Sequence, residues 1–119
     1  MPPEKTYQWH KVAEHVAELP WQSNNLCEVV VAGKTICLAQ VQERVYGCAR
    51  KCPHAGGIMA NGFIDALGHV VCPLHRYKFS LQNGRNVSGE GYYLHTYPVE
   101  LRDDGVYVGV EAKKWPGLW

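Results

Sequence analysis

No stretch of this 119-residue chain is apolar for long enough to cross a bilayer. Its opening residues, "MPPEKTYQWHK" (Met1 to Lys11), lack the apolar core of a secretory signal. A cytoplasmic protein with no membrane association is therefore expected. There is no excess of charge either: 12 Lys and Arg face 11 Asp and Glu, for a net +1. That excludes a strongly acidic or basic tail. Low-complexity tracts, repeats and a glycine-rich dinucleotide fingerprint are missing. A chain this short has no room for a flavin or nicotinamide domain, and helical patterning is scarce. The five cysteines, an odd number, do not suggest a disulfide framework in a reducing compartment. Metal binding or catalysis is the better use for some of them.

What is present reads as short strands broken by turns. "LCEVVVAGKTICLAQV" (Leu26 to Val41) is rich in β-branched residues, with a tight hairpin turn expected at Ala32-Gly33-Lys34. "RVYGCA" (Arg44 to Ala49) is a third strand. "GHVVC" (Gly68 to Cys72) and "YKFSL" (Tyr77 to Leu81) form a short pair flanking a loop, followed by a turn at Gln82-Asn83-Gly84. "YLHTYPVEL" and "VYVGVE" are joined through Arg102-Asp103-Asp104-Gly105 as a hairpin, and Pro98 places its strand at an edge or bulge. Only "KVAEHVAEL" (Lys11 to Leu19) has helical spacing, at Val12, Val16 and Leu19. Pro20 limits it to one or two turns. The expectation is one all-β domain over residues 1–119, with a loop-built insert at about 47–81.

Two cysteine–histidine pairs lie in that insert: Cys52-Pro53-His54 and Cys72-Pro73-Leu74-His75, with seventeen residues between His54 and Cys72. Each pair can aim a thiol and an imidazole at one ion or cluster from one loop. The proline after each cysteine stiffens the loop and removes a competing backbone donor. Turn chemistry at Gly56-Gly57 and Asn61-Gly62 lets the span fold back and bring the pairs together. Cys27, Cys37 and Cys48 lie in strand-like sequence and read as small buried apolar residues. His10, His15 and His95 have no partner at ligand spacing, and His69, just before a strand, reads as an ordinary surface or packing histidine. Two thiolates and two imidazoles would suit tetrahedral zinc, although the zinc-finger order is absent. They would equally suit a [2Fe-2S] cluster with the cysteines on one iron and the histidines on the other.

At these residues the sequence resembles the Rieske family, in particular its small soluble ferredoxins. The resemblance runs through C-P-H-x-G-G, C-P-L-H with Phe79 beyond it, Asn83-Gly84, Pro98 and the closing "DDGVYVGV". It implies a Rieske-like fold of antiparallel sheets with a small cluster-binding subdomain at one tip. It implies one Rieske-type [2Fe-2S] cluster, with Cys52 and Cys72 on the buried iron and His54 and His75 on the outer one. Two ferric ions, two sulfides and two thiolates sum to no formal charge, so an electron is added at less cost than with four thiolates. High-potential relatives carry a further cysteine in each loop, joined as a disulfide. Here those positions are Gly57 and Leu74. Such relatives also place serine and tyrosine donors where this chain has Tyr77 and Phe79. A low-potential centre of the oxygenase-ferredoxin type is expected.

The resemblance implies a monomeric one-electron carrier between a reductase and a terminal oxygenase, not itself an enzyme. No separate His/His/carboxylate set for mononuclear iron accompanies the cluster motif. The alternatives are a small accessory subunit of a nitrite-reductase-like enzyme and, in another class, a zinc-stabilised binding module. Residues 44–86 carry a net +5, between flanks of −2 each. Arg50, Lys51, Arg76 and Lys78 are thus candidates for a basic docking face, with Arg76 standing where glycine is common in the family. Nothing interleaves stacking aromatics with these charges, so no nucleic-acid partner is expected. Glu90 to Tyr93 ("EGYY") could approach the cluster loops, and Trp115 and Trp119 are expected to cover apolar surface.

Overall fold

The structure, a computed structural model, describes residues 6–54, 56–89 and 91–112. The expected Trp115 and Trp119 contacts lie outside the described residues. Among the described residues no helix is long and apolar enough to cross a membrane.

Alternating apolar and polar residues build three antiparallel sheets. The first joins β1 (Tyr7–Ala13), β10 (Gly105–Glu111) and β9 (Val99–Arg102), in that order. The second runs β2 (Leu26–Val31), β3 (Lys34–Val41), β4 (Arg44–Ala49), β8 (Thr96–Tyr97). The third is smaller: β5 (Phe63–Ile64), β6 (His69–Val71), β7 (Lys78–Ser80).

The central sheet is buried on both faces, which explains the unbroken apolar run Ile36-Cys37-Leu38-Ala39 in β3. Ile36 and Leu38 join Cys27, Val31, Val106 and Val108 in the core beneath the first sheet. Cys37 and Ala39 point the other way, into a core with Leu26, Cys48, Met59, Val70, Phe79 and Leu94. That second core also holds Cys52 and Cys72, so it anchors both candidate ligand loops. Phe79 is fully buried there, a contribution of about 2–3 kcal/mol for a side chain of its size.

The turn chemistry read from the sequence is realised. Ala32 and Gly33 both take positive φ, 51° and 80°, as a two-residue hairpin of twist-matching type requires. Pro98 does more than mark an edge. It sits between β8 on the central sheet and β9 on the first, where the chain changes sheets and a backbone donor is not needed. Gly47 lies opposite Tyr97 at this crossing, and a Cβ there would stand 2.8 Å from the Tyr97 carbonyl oxygen.

The helical reading of Lys11 to Leu19 is corrected. Residues up to Ala13 belong to β1, paired with β10 through an irregularity between Lys11 and Ala13. Only Val16–Glu18 makes a single 3-10 turn, with the Glu18 carboxylate accepting from the Glu14 and His15 amides. Val12, Val16 and Leu19 still reach one core, by way of a strand and then a turn. A nine-residue segment nucleates a helix poorly, and the open edge of β10 offers a full ladder instead.

Candidate metal centre

The first ligand loop leaves β4 and is closed at its neck by a Lys51–Ile58 bridge and by the Met59 amide donating to the Arg50 carbonyl at 2.8 Å. Inside it, the Cys52 amide donates to the Gly57 carbonyl at 2.8 Å and the Gly56 amide to the Cys52 carbonyl at 3.0 Å. The second loop joins β6 to β7. It is closed by the Cys72 amide donating to the Tyr77 carbonyl at 2.9 Å, and the Leu74 amide reaches the Cys72 sulfur at 3.4 Å. His75 and Arg76 are consecutive residues with left-handed φ, 62° and 56°. This double reversal returns the chain to β7, and a left-handed φ at position 76 is one that glycine would adopt at lower cost than arginine.

The two loops meet, and the four expected residues sort into two pairs. Cys52 and Cys72 are buried in the lower core. His54 and His75 are exposed, with ring centroids 5.5 Å apart. Burial pushes the Cys72 thiol up to about 11; the Leu74 amide works against this, and the adjoining Cys52 thiol adds to it. Metal binding here must therefore displace protons. Among the described residues, no three His, Cys, Asp or Glu side chains gather as a single ion's ligands would.

Gly57 shows how closely the loops pack. A Cβ at that position would lie 2.8 Å from the Cys72 sulfur and 3.1 Å from Leu74 Cγ. Positions 57 and 74 are thus neighbours across the two loops, as a bridging disulfide in high-potential relatives would require, and here neither can form one. The donor set, with sulfurs inside and imidazoles outside a gap kept open by glycine, fits a two-iron cluster.

Tyr77 reaches across to the first loop. Its hydroxyl oxygen lies 3.3 Å from His54 Nε2, and its ring stacks on that imidazole at 4.3 Å with 24° between planes. Tyr92 stands at 5.1 Å from the same imidazole, tilted by 52°. The sequence placed "EGYY" near the loops without saying which residue makes contact. The residue is Tyr92, and no spacing rule across the irregular segment before it could have shown this. Phe79 is fully buried beneath and has no hydrogen to donate.

The other residues take their plainer roles. Cys27, Cys37 and Cys48 are buried in the sheets. His69 Nδ1 lies 3.3 Å from the Asp65 carboxylate, and the His95 ring meets Tyr97 edge-on. Of the basic residues near the loops, Arg50 pairs with Glu28 at 2.9 Å and Lys78 lies 3.7 Å from Asp65. Lys51 and Arg76 are exposed and have no ion pair among the described residues.

Residues 8–109 match the model of the Rieske-like [2Fe-2S] domain. The ferredoxin component of a naphthalene 1,2-dioxygenase system from Pseudomonas aeruginosa is 30% identical over 81 residues, covering 67% of this chain and 77% of that protein. The solved ferredoxin of carbazole 1,9a-dioxygenase from Nocardioides aromaticivorans superposes with a TM-score of 0.72 at 20% identity, over 84% of this chain and 95% of that one. A structure described as an NADH-dependent nitrite reductase small subunit, from Mycobacterium tuberculosis, gives 0.73 at 18% identity, over 93% and 100% of the two chains. At those identities the two structures speak for the fold. The antiparallel architecture, the paired Cys and His loops and these matches converge: the chain belongs to the Rieske-like [2Fe-2S] domain family and is an electron-transfer protein carrying one Rieske-type cluster.

Proposed function

We propose that Cys52 and Cys72 hold the inner iron of that cluster, and His54 and His75 the outer one, and that the protein relays single electrons from a reductase to a terminal oxygenase. The observation that carries this reading is the sorting of the four side chains: two thiols buried in one core, two imidazoles exposed 5.5 Å apart. When bound, the cluster supplies one-electron chemistry. The chain's own part is to hold it, to keep water from the sulfurs through Met59, Phe79 and Leu94, and to present two imidazole edges outward. Residues of about 47–81 serve as the cluster-binding subdomain on the scaffold of the flanking strands.

A low potential follows from Gly57 and Leu74 in place of a disulfide, and from Phe79, which offers the sulfurs no hydrogen bond. Exposed Lys51 and Arg76, with Arg50 and Lys78 partly neutralised by their carboxylates, form a modest basic docking face for an acidic partner. The protein acts as a monomer in the cytoplasm. The nitrite-reductase reading is favoured by fold likeness alone. Iron and sulfide analysis of the purified protein tests the assignment. About two irons and two acid-labile sulfides per chain are expected, falling away in Cys52→Ser and His75→Ala. A colourless protein that retains zinc instead would overturn it.

A further inference from the structure

The two imidazoles are not held alike. His54 carries the Tyr77 ring on its face at 4.3 Å and 24°, with Tyr92 closing in at 5.1 Å. The rings nearest His75 among the described residues are His54, edge-on at 5.5 Å, and Tyr77, tilted at 6.3 Å. Among the described residues no aromatic face covers it.

We propose that Tyr77 is a positioning residue for His54, setting the plane of that imidazole by stacking and shielding one of its faces from water, a contact His75 does not share. The stack covers a face of the imidazole, whereas the hydroxyl contact to Nε2, at 3.3 Å, is long for a hydrogen bond. The ring, more than the hydroxyl, does the holding. Tyr77 is suited to this because it belongs to both loops in effect. Its carbonyl closes the second loop on the Cys72 amide, while its side chain lies across the first. Removing the ring lets water onto the imidazole face and lets the ring plane wander. Since the oxidised centre is formally neutral and the reduced one negative, added water favours reduction.

This inference rests on the ligand assignment above, and the two fail differently. Absence of a rhombic electron paramagnetic resonance signal in the reduced wild-type protein would defeat the assignment itself. Given that signal, the test compares Tyr77→Phe and Tyr77→Ala by pulsed resonance of the two ligand nitrogens and by redox titration. Y77F is expected to keep the wild-type couplings and potential. Y77A is expected to change the coupling of one nitrogen only, and to raise the potential. Wild-type values in Y77A would overturn the proposal, as would a Y77F protein displaced as far as Y77A. Should Y77A not assemble a cluster, Tyr77→Leu, which keeps apolar bulk without an aromatic face, is read by the same criteria.

Discussion

Gly57 faces Leu74 across the two ligand loops so closely that a single added carbon would stand 3.1 Å from Leu74 Cγ and 2.8 Å from the Cys72 sulfur. Gly57→Ala must therefore displace either the Cys72 sulfur or the Leu74 side chain. Overpacking of this kind costs about 1–3 kcal/mol. Lower iron content per chain and a lower melting temperature are expected, measured by metal analysis and calorimetry.

Arg76 is held at a φ of 56°, a conformation that costs a side-chain-bearing residue of the order of 1 kcal/mol. Arg76→Gly removes that strain at a smaller entropic cost. Chemical denaturation is expected to show stability unchanged or raised by up to about 1 kcal/mol. If Arg76 also steers the partner, the same variant transfers electrons more slowly at low ionic strength and with a flatter salt dependence. Stopped-flow kinetics across a salt series would read both effects.

Asp65 organises the β5–β6 turn. Burial pushes its carboxyl up, but the His69 and Leu67 amides, each 2.9 Å from Oδ1, together with the His69 ring, bring it below the ordinary carboxylate range. A lowered acid contributes stability above its unfolded value and loses it as pH falls through its folded value. Asp65→Ala is expected to cost about 1–2 kcal/mol near neutrality. The gap between variant and wild type should narrow in acid, as urea midpoints at the two conditions would show.

The three sheet cysteines should be inert. Burial, then the nearby Cys37 and Glu28, push the Cys27 thiol up to about 12. A hydrogen bond with Cys37, its cross-strand partner, followed by burial, raises Cys48 well above the usual thiol range. Because all three side chains are buried and the thiolate is the nucleophile that burial disfavours at Cys27 and Cys48, iodoacetamide at mildly alkaline pH should leave Cys27, Cys37 and Cys48 unmodified in the native protein and label all three once it is unfolded. Peptide mass mapping reads this directly.

The parts of the fold legible in the sequence were those set by neighbours along the chain. Ala32-Gly33 and Asp103-Asp104 carry their turns in their own residue types, so both hairpins could be read locally. β1 could not, because its ladder partner β10 lies some hundred residues away. The helical spacing of Val12, Val16 and Leu19 pointed elsewhere. β5 is two residues long, too short for a period to appear. The candidate ligands stood out because each loop carries its own Cys, Pro and His. The stack of Tyr77 on His54, between residues 23 apart, was not: it depends on how two loops meet.

A redox titration followed by electron paramagnetic resonance tests the central claim most directly. The expected result is a rhombic signal that appears on one-electron reduction near the low end of the Rieske range, about −150 mV. A midpoint approaching the upper end, about +300 mV, or no signal from a protein holding zinc, would contradict it.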